Sequence, residues 1–302
     1  MPTTDRIIDV TDGPVSLRYE NSLIVFERKD VPPVSVPVRD IGVLMLSTPH
    51  VTLTQPVIAE LSGEGVCVVF ANKEHMPAAM CLPFGAHHQP AARFRQQADA
   101  KKPVLKRLWQ EIVRSKLVHQ AALLQYLHGQ TYGLESYADQ VFSGDTTNME
   151  AQGAKLYWSK LFGDMPFARD READDVNVLL NYGYTILRAI TARAICTSGL
   201  HPGLGIHHHH RDNSFCLADD LMESFRTYVD LAVYRMIDGG KLRFQMLTKE
   251  GKAHIINQLL KPLHIDGRDE QLFYVVQRLA GSLVNVFGWD EDGLRLPRPC
   301  FK

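Results

Sequence analysis

The sequence predicts an α+β fold: a small β-rich domain over residues 1–85, a linker over 86–95, and a larger all-helical domain over 96–302. Three observations carry this. Short β-rich runs with period-two alternation fill the chain as far as Asn72. Pro77, Pro83, Gly85 and Pro90 then punctuate a stretch with no period of its own. Beyond Ala91 apolar residues recur at three-and-four spacing, the signature of helices that bury one face.

In order along the chain, "VSLRYE" and "SLIVFER" flank Asn21 as a hairpin. "VSVPVRDIGVLMLS" alternates and then becomes wholly apolar, a strand entering a buried environment. "VTLT" follows as a further strand. A short helix starts at Thr54-Gln55-Pro56, with proline in its first turn, and ends near "SGEG". "VCVVFAN" is the next buried strand, and "KEHMPAAMCLPFGAHHQPA" reads as connecting loop. In the second half, "VLKRLWQEIVRSKLVHQAALLQYL", "LADDLMESFRTYVDLAVYRMI" and "DEQLFYVVQRLAGSLVNVF" read as amphipathic helices. "DDVNVLLNYGYTILRAITARAIC", apolar around most of its circumference, belongs at the centre.

The 302 residues are 45% hydrophobic and 22% charged, an ordinary globular composition. No apolar run reaches bilayer length and "MPTTDRIIDV" lacks a signal-peptide core. Five cysteines with no C-x-x-C pair fit reduced thiols in a cytoplasmic protein. The net charge of −1 excludes a globally basic polyanion binder. Even so, Arg93, Arg95, Lys101, Lys102, Lys106, Arg107, Arg114 and Lys116 form a local basic stripe. It is either a phosphate-binding surface or a solvated helix face. Acids gather instead at 169–175 and 290–293.

Three segments of the helical half hold ionisable groups where packing does not require them. Glu150 shares a helical face with Ala154, Tyr157, Trp158 and Leu161, so its carboxylate points inward, where an ion would compensate it. Equally, Thr147-Asn148-Met149-Glu150 matches a capping box, in which Glu150 only satisfies backbone. The turn "GLHPGLGIHHHH" supplies His201 and His207 to His210. Neighbouring side chains diverge, so only one or two of these imidazoles line a site. Asp220 and Glu223, three apart on a helix, sit beside the stripe Leu217, Leu221, Phe225, Tyr228 and Ala232. Either a cation bridges them or they are solvated acids welcomed by a helix amino terminus. Several carboxylates with one ring nitrogen suit Mg²⁺ or Mn²⁺ better than zinc. A hard cation of that kind serves phosphate chemistry.

The segments "SGDTTNMEAQGAKLYWSKLFG", "LNYGY", "GLHPGLGIHH" and "DDLMESFR", with their separations, resemble the CRISPR-associated endonuclease/integrase family Cas1. "RDIGVLMLSTPHVTLTQPVIAEL" and "KRLWQEIVRSKLVHQA" extend the resemblance over nearly the whole chain, toward the shorter form found beside Cas9 in type II systems. By position, the family's metal-binding glutamate is Glu150, its histidine is His208 and its acid pair is Asp220 and Glu223. His207 is the competing register, and His209 and His210 read as bystanders. "EAQGAK" and "DLMES" depart from the family's usual wording around the glutamate and the acid pair.

The resemblance implies a metal-dependent integrase and endonuclease that inserts short DNA fragments into a CRISPR array, using the DNA's 3′-hydroxyl as nucleophile. Glu150, His208 and Glu223 would hold one Mg²⁺ or Mn²⁺, with Asp220 a further ligand or a support for the others. It also implies homodimers formed through the β-rich domains, a Cas2 dimer bridging two of them, double-stranded DNA as substrate, Cas9 and other adaptation proteins as further partners, and no membrane. Arg93, Arg95 and Lys102 are the candidate DNA contacts. Two other readings stand beside it: an inactive DNA-binding scaffold in which Glu150 is only a cap, and a zinc-dependent small-molecule hydrolase, against which the lack of an H-E-x-x-H motif counts.

Overall fold

The computed structural model describes residues 5–72, 77–163, 165–238, 241–242, 247–288 and 292–301. Residues 73–76 of the expected loop, and residues 290 and 291 of the acidic stretch 290–293, lie outside them. The first part is built from β1 (Arg6–Val10), β2 (Val15–Glu20), β3 (Leu23–Arg28), β4 (Val31–Pro37), β5 (Ile41–Leu46), β6 (Val51–Leu53), α1 (Gln55–Gly63), β7 (Cys67–Ala71) and β8 (Pro77–Cys81). They form two four-stranded sheets, ordered β1-β5-β7-β8 and β4-β3-β2-β6.

The β2–β3 hairpin closes on Asn21 and Ser22, both at positive φ, with Glu20 opposite Leu23. A two-residue turn of that handedness matches the twist of the strands it joins. The single run expected over "VSVPVRDIGVLMLS" is broken. A 3₁₀ turn at Val38–Asp40 carries the chain from β4, at the edge of one sheet, to β5, inside the other. The prolines of β4 are tolerated because an edge strand leaves one side of its backbone unpaired. Every residue of β5 is buried, because both its faces are covered. Leu44, Leu46 and Val68 face a core shared with α1 and the second sheet, whereas Val43, Met45, Cys67 and Val69 join the helical core.

Two elements depart from the sequence reading of this region. β8 pairs antiparallel with β7 where a loop was expected, because "PAAMC" is short and proline-led and carries no strong strand signal. α2 (Pro90–Ala98) begins inside the stretch read as linker.

The second part continues with α3 (Lys102–His128), α4 (Leu134–Asp139), α5 (Met149–Leu161), α6 (Val176–Thr197), α7 (Cys216–Met222), α8 (Arg226–Tyr234), β9 (Ile237–Asp238), β10 (Lys241–Leu242), α9 (Lys249–Leu259), β11 (Leu263–Ile265), β12 (Arg268–Glu270) and α10 (Leu272–Gly288). Among the described residues, the short antiparallel pairs β9–β10 and β11–β12 depart from its helical character. α6 is central, as its continuous apolarity requires; Asp175 caps it by accepting from the Asn177 amide at 2.8 Å. α6 also reaches the first sheet. Arg193 donates to Gly65 O at 2.7 Å and pairs with Asp5 at 3.0 Å, and the Tyr182 hydroxyl donates to Asp9 at 2.7 Å.

The long helix expected from Leu217 onward is interrupted: a 3₁₀ turn over Glu223–Phe225 separates α7 from α8. No helix among the described residues is long and apolar enough to cross a membrane, and none of the five cysteines is disulfide-bonded.

Candidate metal centre

Glu150 lies in the first turn of α5. The Thr147–Glu150 capping box does not form there. Asp145 does the capping, accepting from the Met149 and Glu150 amides at 2.9 and 3.0 Å. That leaves the Glu150 carboxylate for another task, and it contacts the Lys116 ammonium. The contact depends on how closely α5 approaches α3: a Cβ on Gly153 would overlap the Leu117 side chain. With hydrogen alone at 153, the two helices bring residue 150 to residue 116.

Lys116 corrects the reading of the basic stripe. Rather than facing solvent with its neighbours, it is buried on α3 among Ile112, Val113 and Leu117. Its ammonium also stands 2.8 Å from Glu223 Oε2, while Arg226 meets Glu223 Oε1 at 2.9 Å. Burial pushes the Glu223 carboxyl up, but the Arg226 and Lys116 cations outweigh it and hold the group down at about 2. Glu223 is 5% exposed and Asp220 fully buried, so neither is a solvated helix-start acid.

The two acids have separate partners. Asp220 accepts from the amides of Ile206 at 2.6 Å, His207 at 3.0 Å and His208 at 3.3 Å, and from His208 Nδ1 at 2.6 Å. Gly205 makes this wrap feasible, because a Cβ there would run into His208 O. With Nδ1–H donated to a carboxylate, the remaining lone pair of a neutral His208 ring is on Nε2. The hydrogen bond to Asp220 raises the His208 pKa against the opposing effect of burial.

His207 points elsewhere and stacks on Trp109, ring centroids 4.1 Å apart and planes 4° from parallel. Of the remaining histidines, His210 lies at the cavity mouth with its side chain 77% exposed, and His201 packs against Phe94.

Glu150, His208 and Glu223 line one cavity of about 700 Å³, together with Lys116, Gln120 and Asp230. Sequence reasoning missed the cavity's four arginines. Arg169, Arg171, Arg188 and Arg226 all face the cavity; the first two sat unremarked inside a segment read as acidic, Arg188 on an otherwise apolar helix and Arg226 on an amphipathic one. Arg188 grips Asp219 through two bonds of 2.7 and 3.0 Å, and Arg169 is held by Asn177 and Asn181 at 2.7 Å each.

Arg93, Arg95 and Lys102 do not line this cavity. Arg93 donates to Ser198 O at the end of α6. From the same helix, Gln97 donates to His201 O at 2.9 Å and Leu204 O at 2.8 Å and accepts from the His201 amide at 2.8 Å. α2 therefore braces the glycine-rich loop that carries His208. Arg95 and Lys102 are exposed.

The donor set suits a hard dication: two carboxylates and one oriented imidazole at the edge of a polar cavity. Glu223 Oε2 adds an observation of its own. It is buried, has an ion partner, and yet receives no hydrogen bond of good geometry. Among the described residues, however, no three His, Cys, Asp or Glu groups already converge as a ligand set. The two glutamates converge on Lys116 instead.

A family model described as CRISPR associated protein Cas1 matches residues 9–261. The CRISPR-associated endonuclease Cas1 of Neisseria meningitidis serogroup C (strain 8013) is 32% identical over 266 residues, covering 87% of this chain and 86% of that protein. A casposase bound to integration product shares the fold with a TM-score of 0.81 at 19% identity, over 98% of this chain and 94% of that one. A chain of a Cas6-RT-Cas1–Cas2 complex does so at 0.75 and 18%, over 97% of this chain and 36% of that one. At such identities the likeness to the solved structures is one of fold. The extent of the family match and the identity to the Neisseria protein place this chain in the Cas1 family.

Proposed function

We propose that the chain is a divalent-metal-dependent DNA endonuclease and integrase of CRISPR adaptation, joining the 3′-hydroxyl of a short DNA fragment to a phosphodiester of the repeat array. One bond forms between that 3′-oxygen and phosphorus, and the bond from the same phosphorus to the outgoing 3′-oxygen of the array strand breaks. The observation that carries this reading is the convergence of Glu150 and Glu223, from separate elements, on a single cation in a cavity that also presents His208.

Glu150, Glu223 and His208 Nε2 would hold one Mg²⁺ or Mn²⁺. Asp220, saturated with hydrogen bonds, fixes the tautomer and direction of His208 rather than binding the ion. The ion supplies charge neutralisation at the attacked phosphate. Around it, Arg169, Arg171, Arg188 and Arg226 bind and orient backbone phosphates, which makes DNA affinity salt-dependent. Arg95 and Lys102 extend the path at greater distance, while Arg93 is tied up by Ser198.

Residues 1–85 serve as the dimerisation domain and 96–302 as the catalytic one. Cas2 as a partner is supported by the solved Cas6-RT-Cas1–Cas2 complex that shares this fold, and a Cas2 dimer bridging two homodimers is proposed on the resemblance. Cas9 and other adaptation proteins are proposed as further partners on the resemblance alone.

The test is strand transfer of a labelled fragment into a supercoiled plasmid bearing the repeat, in Mn²⁺. His208→Ala and Glu150→Gln should reduce joining to background while circular dichroism stays unchanged. Undiminished joining by either folded variant would overturn the assignment. The inactive-scaffold reading needs Glu150 as a cap, a place Asp145 takes.

A further inference from the structure

We propose that Lys116 is a built-in stand-in for the divalent cation: its ammonium holds Glu150 and Glu223 together in the metal-free protein and is displaced when the ion takes their oxygens. The inference rests on the metal-centre reading above. Lys116 Nζ contacts Glu150 and lies 2.8 Å from Glu223 Oε2, so two carboxylates brought in by α5 and by the turn after α7 meet at a lysine of α3. Without a cation there, the buried Glu223 and the half-buried Glu150 would face each other with Arg226 alone to offset the pair. With one present, no ligand set is assembled among the described residues. Both facts have a single cause if the two cations use the same oxygens.

The residue type suits the exchange. Lysine is a point charge on a flexible stem, able to leave one partner and reach another, whereas arginine's planar fork would lock two carboxylates in place. A destination exists as well. One turn along α3, Gln120 lines the same cavity, and its buried Oε1 has no hydrogen-bond partner. That acceptor lies on the same helix face as Lys116. Glu150 and Glu223 balance Lys116 and Arg226, so the four groups are together neutral. A dication that displaces the ammonium without expelling it from the cavity leaves a net positive centre. A DNA phosphate already drawn by the cavity's arginines is then held more strongly once the metal is in place.

The test uses the full chain without DNA and reads metal binding rather than turnover. Mn²⁺ is titrated into the wild type, Lys116→Met and Lys116→Arg, with free Mn²⁺ followed by its paramagnetic resonance signal. Thermal unfolding is measured in chelator and in Mn²⁺. Lys116→Met should bind Mn²⁺ about tenfold more tightly, since the competing charge is gone. It should also melt lower than wild type in chelator and gain more from Mn²⁺. Lys116→Arg should bind more weakly than wild type. A folded Lys116→Met protein with unchanged or weaker Mn²⁺ affinity overturns the proposal. If that variant folds in neither buffer, the arginine variant decides, and an affinity equal to or above wild type overturns it. A wild type that takes up no Mn²⁺ brings down the metal-centre reading first, and this inference with it.

Discussion

His208 Nδ1 and Asp220 Oδ1 stand 2.6 Å apart, and the aspartate that makes this bond has no exposed surface. The same carboxylate collects the amides of residues 206, 207 and 208. A single buried acid thus sets the course of the loop and the direction of the ring that the loop delivers.

Asp220→Asn keeps the shape but turns an NH₂ toward donors that need acceptors. The expected result is a fall of about 10–100-fold in Mn²⁺ affinity and strand-transfer rate. Stability should fall by about 1–3 kcal/mol. Metal titration and urea unfolding of one preparation would check both. An Asn variant with wild-type metal affinity would leave Asp220 a purely structural acid.

Gly153 is the contact point of α5 on α3. Gly153→Ala should overpack that contact and cost about 1–3 kcal/mol, with the Glu150–Lys116 pair loosened. Adding Leu117→Ala makes room and should recover part of the loss. Chemical unfolding of the two single variants and the double variant measures the coupling, and strict additivity would argue against close approach as the cause.

Asp230 is buried and accepts from Tyr157 at 2.7 Å and from Tyr184. Burial pushes its carboxyl up to about 6, against the lowering effect of the two hydroxyls and of Arg226. The sign follows from proton counting: between the ordinary carboxylate value and about 6 the folded chain binds the extra proton. This group's contribution is therefore full at low pH and is lost as pH rises through that window, on the order of 2–3 kcal/mol. Melting temperatures of wild type and Asp230→Asn across pH 4.5 to 7 should show the wild-type advantage shrinking as pH rises. A constant difference would contradict the assignment.

Arg171 is exposed at the rim of the cavity, whereas Arg93 spends its guanidinium on Ser198 O. Arg171→Ala should weaken DNA binding several-fold and lower the slope of log affinity against log salt by about one. Arg93→Ala should leave that slope alone and lower the melting temperature. Fluorescence anisotropy over a salt series separates the two, and the reverse pattern would return the DNA path to the α2 stripe.

Much of this was legible in the sequence. Strand alternation located β2 and β3 and helical period located α3 and α10, because each buries one face, while near-continuous apolarity marked β7 and α6 as buried on all sides. α2 and β8 escaped notice because their reasons are tertiary: one exists to brace the His208 loop, the other to pair with β7. The break at Glu223 escaped for a related cause, since a 3₁₀ turn of three residues barely disturbs the apolar spacing on either side. It nevertheless parts Asp220 from Glu223, sending one to the loop and the other to Lys116 and Arg226. Lys116 itself could have been found. On α3 it falls on the face of Ile112, Val113 and Gln120, so helical spacing alone marks it as an inward charge, and counting it with its surface neighbours concealed that.

The first sheet is a party wall. Its middle strands give one set of side chains to the β core and the opposite set to the helices. A fragment ending near residue 85 would carry Val43, Met45, Cys67 and Val69 outward as a sticky flat surface, and the helical remainder would lose the platform that Arg193 and Tyr182 are anchored to. The chemistry of this chain therefore cannot be transplanted by moving its second half alone. A strand pair that contributes nothing to the lining of the cavity helps hold the ground on which the imidazole and the two glutamates meet.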